Sequence, residues 1–150
     1  MNGLLSGALA GAAGTAALNA VTYADMALRG RSGSQVPEQV VEKTTERAGV
    51  SLGEDETAEN RRQALGALLG FGVGIGVGVA YGLIRSRGRT LPDALALGAA
   101  ASVASEGPAV ALGLTDPRTW GAAGWISDVV PHLAYGIVTA ATYRGLRANR

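Results

Sequence analysis

The chain has no cysteine, one histidine, one lysine and one phenylalanine among its 150 residues. Each scarcity excludes a kind of chemistry. Without cysteine there is no disulfide framework, thiolate nucleophile, zinc ribbon or iron–sulfur ligand set. A lone histidine excludes every two-histidine metal motif. Charge is scarce as well: 17% of residues carry it, and 13 basic against 12 acidic side chains leave no excess to recruit nucleic acid. No cofactor, metal or catalytic constellation is expected, and an enzyme is the least favoured class. Small and apolar residues dominate instead. Hydrophobic residues make up 47% of the chain, and glycine fills 23 positions, roughly twice ordinary usage.

The few charges are grouped, and the gaps between them are long. Between Asn2 and Leu28 the only ionisable side chains are Tyr23 and Asp25. Residues 63–84 carry no charge, residues 91–114 carry only Asp93 and Glu106, and residues 120–143 hold Asp128 and His132. About 20 helical residues cross the hydrocarbon core of a bilayer, and each stretch is long enough. Arg29, Arg31, Arg61, Arg62, Arg85, Arg87 and Arg89 border the first two, while Trp120 and Tyr143 bracket the last as interfacial aromatics do. The expectation is an all-α polytopic membrane protein, a single domain over residues 1–150. Its four transmembrane helices, at about 3–28, 63–84, 91–114 and 120–143, would form a compact bundle in the lipid bilayer. A secretory signal at the N-terminus fits poorly, because the basic n-region is missing and the apolar run is too long. A soluble Ala/Gly-rich bundle would have to hide four nearly unbroken apolar faces.

Residues 30–62 form the one plainly aqueous segment. Ser34 is placed to cap a short helix with Pro37 in its first turn, and Gly49 to end it. Val36, Val40, Val41, Thr44 and Ala48 share one face of that helix, which is expected to lie at the membrane surface between the first two spans. The acidic residues 53–60 should begin a helix that continues into the second span. An even number of spans puts both termini and the Arg85–Arg89 turn on one side. Counting arginine and lysine barely separates the sides, and the compact arginine turn tips the assignment toward cytoplasmic termini in a bacterial cytoplasmic membrane.

The glycines from Gly66 to Gly82 look at first like a phosphate loop. All of them fall on even positions, however, whereas G-x-G-x-x-G needs one odd interval, and the only lysine is at position 43. As a helix the pattern makes sense. Gly66, Gly70, Gly74, Gly78 and Gly82 recur every fourth residue and form one smooth stripe, with Gly72 and Gly76 roughly opposite. Small residues let helix backbones approach closely in lipid. A glycine zipper with close neighbours on both faces is therefore expected, and Gly3, Gly7 and Gly11 repeat the spacing in the first span.

In the fourth span, Gly121, Trp125, Asp128, His132, Tyr135, Thr139 and Thr142 alternate at spacings of four and three, a polar helical seam. The third span offers Ser102, Ser105 and Glu106, and the first offers Thr15, Asn19, Thr22 and Tyr23. Glu106 lies eight residues before Leu114 and Asp128 eight after Trp120, each about 12 Å from the same surface. A buried polar cluster of Asn19, Tyr23, Ser102, Glu106, Asp128, His132 and Tyr135 is therefore expected. Charge at the centre of a bilayer costs about 2.5–3.5 kcal/mol on insertion scales, so these groups should pair. Pro108 and Pro131 adjoin the region and free backbone carbonyls there. Asp25 and Arg29, at i and i+4, make an ordinary helix-end pair.

Ser127-Asp128-Val129-Val130-Pro131-His132-Leu133, with Gly113-Leu114-Thr115, Pro117 and the Arg144–Arg147 tail, resembles a stretch of YagU-like bacterial inner-membrane proteins. The likeness covers about the last 40 residues. It implies a polytopic membrane protein and adds weight to Asp128 and His132 without naming a reaction. The function expected is structural or accessory, with the cluster fixing helix packing or binding a partner, either a membrane protein or another copy of the chain. The alternative is a small proton-coupled transporter or channel using Glu106, Asp128 and His132.

Overall fold

The computed structural model describes residues 2–84 and 90–148. Arg85, Arg87, Arg89 and Arg150, on which the orientation argument partly rests, lie outside the described residues. Five α-helices follow one another: α1 (Gly3–Arg29), α2 (Val36–Arg47), α3 (Asp55–Ile84), α4 (Thr90–Ala111) and α5 (Ala122–Ala148). A 3-10 turn at Pro117–Thr119 joins the last two. Three of them, α1, α3 and α4, are long and apolar enough to cross a membrane. At 27 residues α5 matches α1 in length, but Asp128, Pro131 and His132 interrupt its apolar run.

Local chemistry sets the boundaries. The Asn2 side chain caps α1 by accepting the Leu5 N–H at 2.9 Å, and Gly30 ends the helix at φ +62°. Only a residue without Cβ takes that left-handed conformation cheaply. In α2 the cap position falls on Gln35, one residue beyond Ser34, whose hydroxyl still accepts the Val36 N–H at 3.3 Å. The acidic segment does begin a helix that runs unbroken into the apolar one, making α3 a single rod of 30 residues, about 45 Å long. The third apolar stretch ends at Ala111 and not Leu114, because the chain reverses through Gly113 at φ +71° and Leu114 N–H returns to the Ala109 carbonyl. Trp120 is extended, so α5 starts at Ala122; at its other end it runs on past Tyr143, through Gly145, to Ala148.

Packing starts from the glycines. A Cβ built on Gly3 would run into the Gly82 carbonyl, one on Gly7 into the Gly78 carbonyl, and one on Gly11 would meet the Gly74 carbonyl oxygen at 2.6 Å. The reversed numbering makes α1 and α3 antiparallel with touching backbones. α5 packs on the adjoining side of α1 and α4 packs on α5, whereas α3 and α4 share a smaller contact that α2 also touches. Tyr135, Ala94, Leu97, Ala101 and Ala140 are the buried centre.

Two expectations about this packing change. The opposite glycine face is not closely packed: a Cβ on Gly72 or Gly76 would meet nothing within 4 Å, and neither would one on Gly70, a member of the main stripe. The close contact with α1 therefore uses only Gly74, Gly78 and Gly82 of the stripe. The short helix, in turn, does more than float at a surface. Val40 and Val41 are buried, and the backbone at Pro37 and Glu38 sits 3.2–3.3 Å from where a Gly66 Cβ would stand. Arg62 holds the other side of α2 through Glu42 at 2.8 Å.

A paired substitution tests the contact. In Gly78→Ala the new methyl would meet the Gly11 Cα at 2.6 Å, so detergent-solubilised protein should lose about 1–3 kcal/mol in a denaturation titration. Gly76→Ala meets nothing and should be neutral or stabilising by up to about 1 kcal/mol, since alanine is the better helix former.

Candidate functional site

The polar residues of α4 and α5 meet because the two backbones come together at single glycines. A Cβ on Gly98 would lie 2.8 Å from the His132 carbonyl oxygen, and one on Gly136 would strike the Ala94 carbonyl. That approach lines up the Ser102–Ser105 turn with the Asp128–His132 turn. The Ser102 hydroxyl donates to Asp128 Oδ2 at 3.0 Å. His132 Nδ1 stands 3.0 Å from Asp128 Oδ1 and 2.8 Å from the Asp128 backbone oxygen. Both neighbours only accept, so Nδ1 carries a hydrogen. His132 Nε2 lies 3.3 Å from Ser105 Oγ, which also sits 3.0 Å from the Ala101 carbonyl and 3.1 Å from that of Ser102. If the single Ser105 proton goes to Nε2 the imidazole is neutral; if it goes to a carbonyl, Nε2–H donates and the ring is an imidazolium. The geometry serves both states.

Glu106 sits one residue beyond Ser105, half-buried and within electrostatic reach of Asp128 and His132. Among the described residues it makes no hydrogen bond and no ion pair. Two carboxylates thus face one imidazole, and the imidazole is taken by Asp128. From the helix ends, Glu106 is five residues inside α4 and Asp128 six inside α5, about 7.5 and 9 Å. Their common level follows from the sequence, and both stand closer to the helix ends than counting to Leu114 and Trp120 implied, because both helices stop before the loop residues.

Three expected members of the cluster are elsewhere. Tyr135 turns away into the middle of the bundle, fully buried, and its hydroxyl donates to the Gly74 carbonyl at 2.6 Å. Tyr23 is 64% exposed on the outside of α1. Asn19 is half-buried on α1 and takes no part in the α4–α5 hydrogen bonds. Helix α1 packs on α3 and α5, so its polar patch cannot join the α4–α5 seam. Trp125 and Gly121 are exposed, leaving Asp128, His132, Tyr135 and Thr139 as the inward part of the polar stripe.

Two further polar groups escaped the reading by spans. Asp93, counted as a charge at the mouth of a span, is 2% exposed and accepts from the Tyr81 hydroxyl at 2.7 Å. Tyr81 meets Tyr143 edge to face at 4.9 Å, and Tyr143 donates to the Gly82 carbonyl at 3.4 Å. Tyr143 is therefore a buried knot between helices and not an interfacial aromatic. At the other end, Asp25 takes Arg31 Nε at 2.5 Å and Arg29 at 3.2 Å, while Ser127 bridges to both Asp25 and Arg29. The helix-end pair is thus a clamp between α1 and the start of α5. Neither was legible from i, i+4 spacing, since each joins residues far apart in the chain.

No protein-family model, curated protein or solved structure matches this chain. Among the described residues no group of three or more histidine, aspartate and glutamate side chains could hold a metal ion.

A double-mutant cycle on Ser102→Ala and Asp128→Asn measures the cross-helix bond. The coupling energy should be about 0.6 kcal/mol, the average for interhelical hydrogen bonds in membranes. A coupling indistinguishable from zero would mean that the two side chains do not hold α4 to α5.

Proposed function

We propose that this chain is an accessory integral membrane protein of the bacterial cytoplasmic membrane, with α1, α3, α4 and α5 as four spans and cytoplasmic termini. A glycine zipper between α1 and α3 and the polar cross-link between α4 and α5 fix the bundle, which presents its outer faces to lipid and to a membrane partner. The observation that carries this reading is the Ser102–Asp128–His132–Ser105 network. Its groups satisfy one another across two helices, as a device that fixes register must. The YagU-like sequence between Ser127 and Leu133 coincides with the α5 half of that network and supports the same class.

A second reading, proton coupling through Glu106, Asp128 and His132, draws on the two protonation states that the His132 geometry serves. The readings part on one set of preparations, with proton flux in liposomes and thermal stability measured on wild type, Glu106→Gln and His132→Leu. The accessory reading expects no flux in wild type and a Glu106→Gln stability within about 0.6 kcal/mol of wild type. It expects His132→Leu to lose about 1–3 kcal/mol by stranding the Asp128 carboxylate. Flux in wild type that vanishes in Glu106→Gln at unchanged stability would replace it with the transport reading.

A further inference from the structure

The outer face of α4 carries an unmet requirement. Ala99, Val103, Glu106 and Val110 follow at spacings of four, three and four, which places them on one side of the helix. Ala99 is exposed, Val103 is 72% and Val110 44% exposed, and Glu106 is half-buried at the edge of the same strip. Leu95, 52% exposed, extends it toward the start of the helix. No other described element covers Ala99, Val103 and Val110. The strip is apolar apart from one carboxylate, and that carboxylate has no hydrogen-bond or ion-pair partner among the described residues. The nearby imidazole already serves Asp128.

If α4 spans the bilayer, as in the proposed function on which this inference rests, Glu106 stands about 7.5 Å inside the end of the helix. A carboxylate at that depth is compensated by a cationic or hydrogen-bonding group at the same level. Within the chain, His132 is in electrostatic reach of Glu106 but is bonded to Asp128, and residues 2–28, 63–84, 91–114 and 120–143 contain no lysine or arginine. The same strip on a second copy, with Leu95, Ala99, Val103, Glu106 and Val110, holds no lysine or arginine.

We infer that the Ala99–Val103–Glu106–Val110 face docks a transmembrane helix of another protein that carries a lysine or arginine about five residues inside its span. Charge complementarity selects the partner, and the low profile of Ala99 beside the open position at Gly107 lets a helix approach closely. A basic side chain reaches such a site by laying its aliphatic stem along the apolar strip.

The test uses the full chain reconstituted in phosphatidylcholine vesicles with fluorescent synthetic Leu/Ala helices of about 20 residues. One peptide carries a single lysine at the matching depth, and control peptides carry leucine or glutamate there. Energy transfer should show the lysine helix binding at least about tenfold more tightly than the leucine helix, with the glutamate helix weakest. Glu106→Gln should abolish that preference while its thermal transition stays in place, Glu106→Asp should retain part of it, and Val103→Trp should block binding by filling the strip. Equal binding of lysine and leucine helices, or a preference that survives in Glu106→Gln, overturns the inference. Self-association of wild type that excludes the lysine helix and is lost in Val103→Trp overturns it in favour of a second copy. Whether α4 spans at all is read separately, by labelling Leu91→Cys and Ala111→Cys in this cysteine-free chain from either side of the vesicle. Failure there removes the membrane reading itself, whereas failure of the lysine preference with α4 spanning removes only the docking inference.

Discussion

The contact between α1 and α3 is centred on bare backbone at paired glycines, and the rest of the molecule is arranged around it. With no side chain at Gly7, Gly11, Gly74 or Gly78, two helices can approach until the carbonyl of one meets the Cα of the other. At that distance dispersion between the two backbones contributes to the contact. The approach also leaves the Gly74 carbonyl open to the Tyr135 hydroxyl, so α5 is fastened to α3 through a tyrosine lodged against α1. Thr15, which bonds to its own helix at Gly11, closes the remaining space over Gly74.

The pair α4–α5 repeats the device on a smaller scale and adds polarity to it. Gly98 and Gly136 bring the helices together, and the hydroxyls of Ser102 and Ser105 then fall within reach of Asp128 and His132. Asp128 is the hub: its carboxylate serves a serine on the other helix and a histidine one turn along its own. Pro131, between hub and histidine, lacks the N–H that would have returned to Ser127, and the Ser127 hydroxyl turns to the Asp25–Arg29 clamp on α1. One turn of α5 therefore links α4 on one side with α1 on the other. Glu106 is left outside this tie, with no hydrogen bond or ion pair among the described residues.

Much of this was legible in the chain. The apolar stretches, the scarcity of charge within them and the fourfold glycine spacing predict long helices that touch at glycine, because those signals are local and periodic. The Asp128–His132 pair is equally local, at i and i+4, and the common depth of Glu106 and Asp128 needs only counting. Tyr135 and Tyr23 show where counting stops. Both are polar tips on helices of the right length, yet one points into the bundle and the other out of it, and which way each faces depends on the neighbours of α1 and α5.

What the sequence by itself determined is the class of elements and their chemistry: helices long and apolar enough for a membrane, smooth glycine stripes, and Asp93, Glu106, Asp128 and the one histidine set in the apolar stretches of α4 and α5. Tertiary structure alone decided which stripe is used and which acid is paired. The Gly66–Gly82 run has two smooth faces of similar composition, and only the placement of α1 leaves Gly72 and Gly76 open. Asp93 and Glu106 are both acids in one apolar helix, but Asp93 finds the Tyr81 hydroxyl while Glu106 stays half-buried beside an imidazole that Asp128 already holds. The physical reason is common to both. A helix repeats its pattern around its axis and so offers several equivalent sides, and the choice among them is made by the closest backbone approach that the neighbouring helices allow.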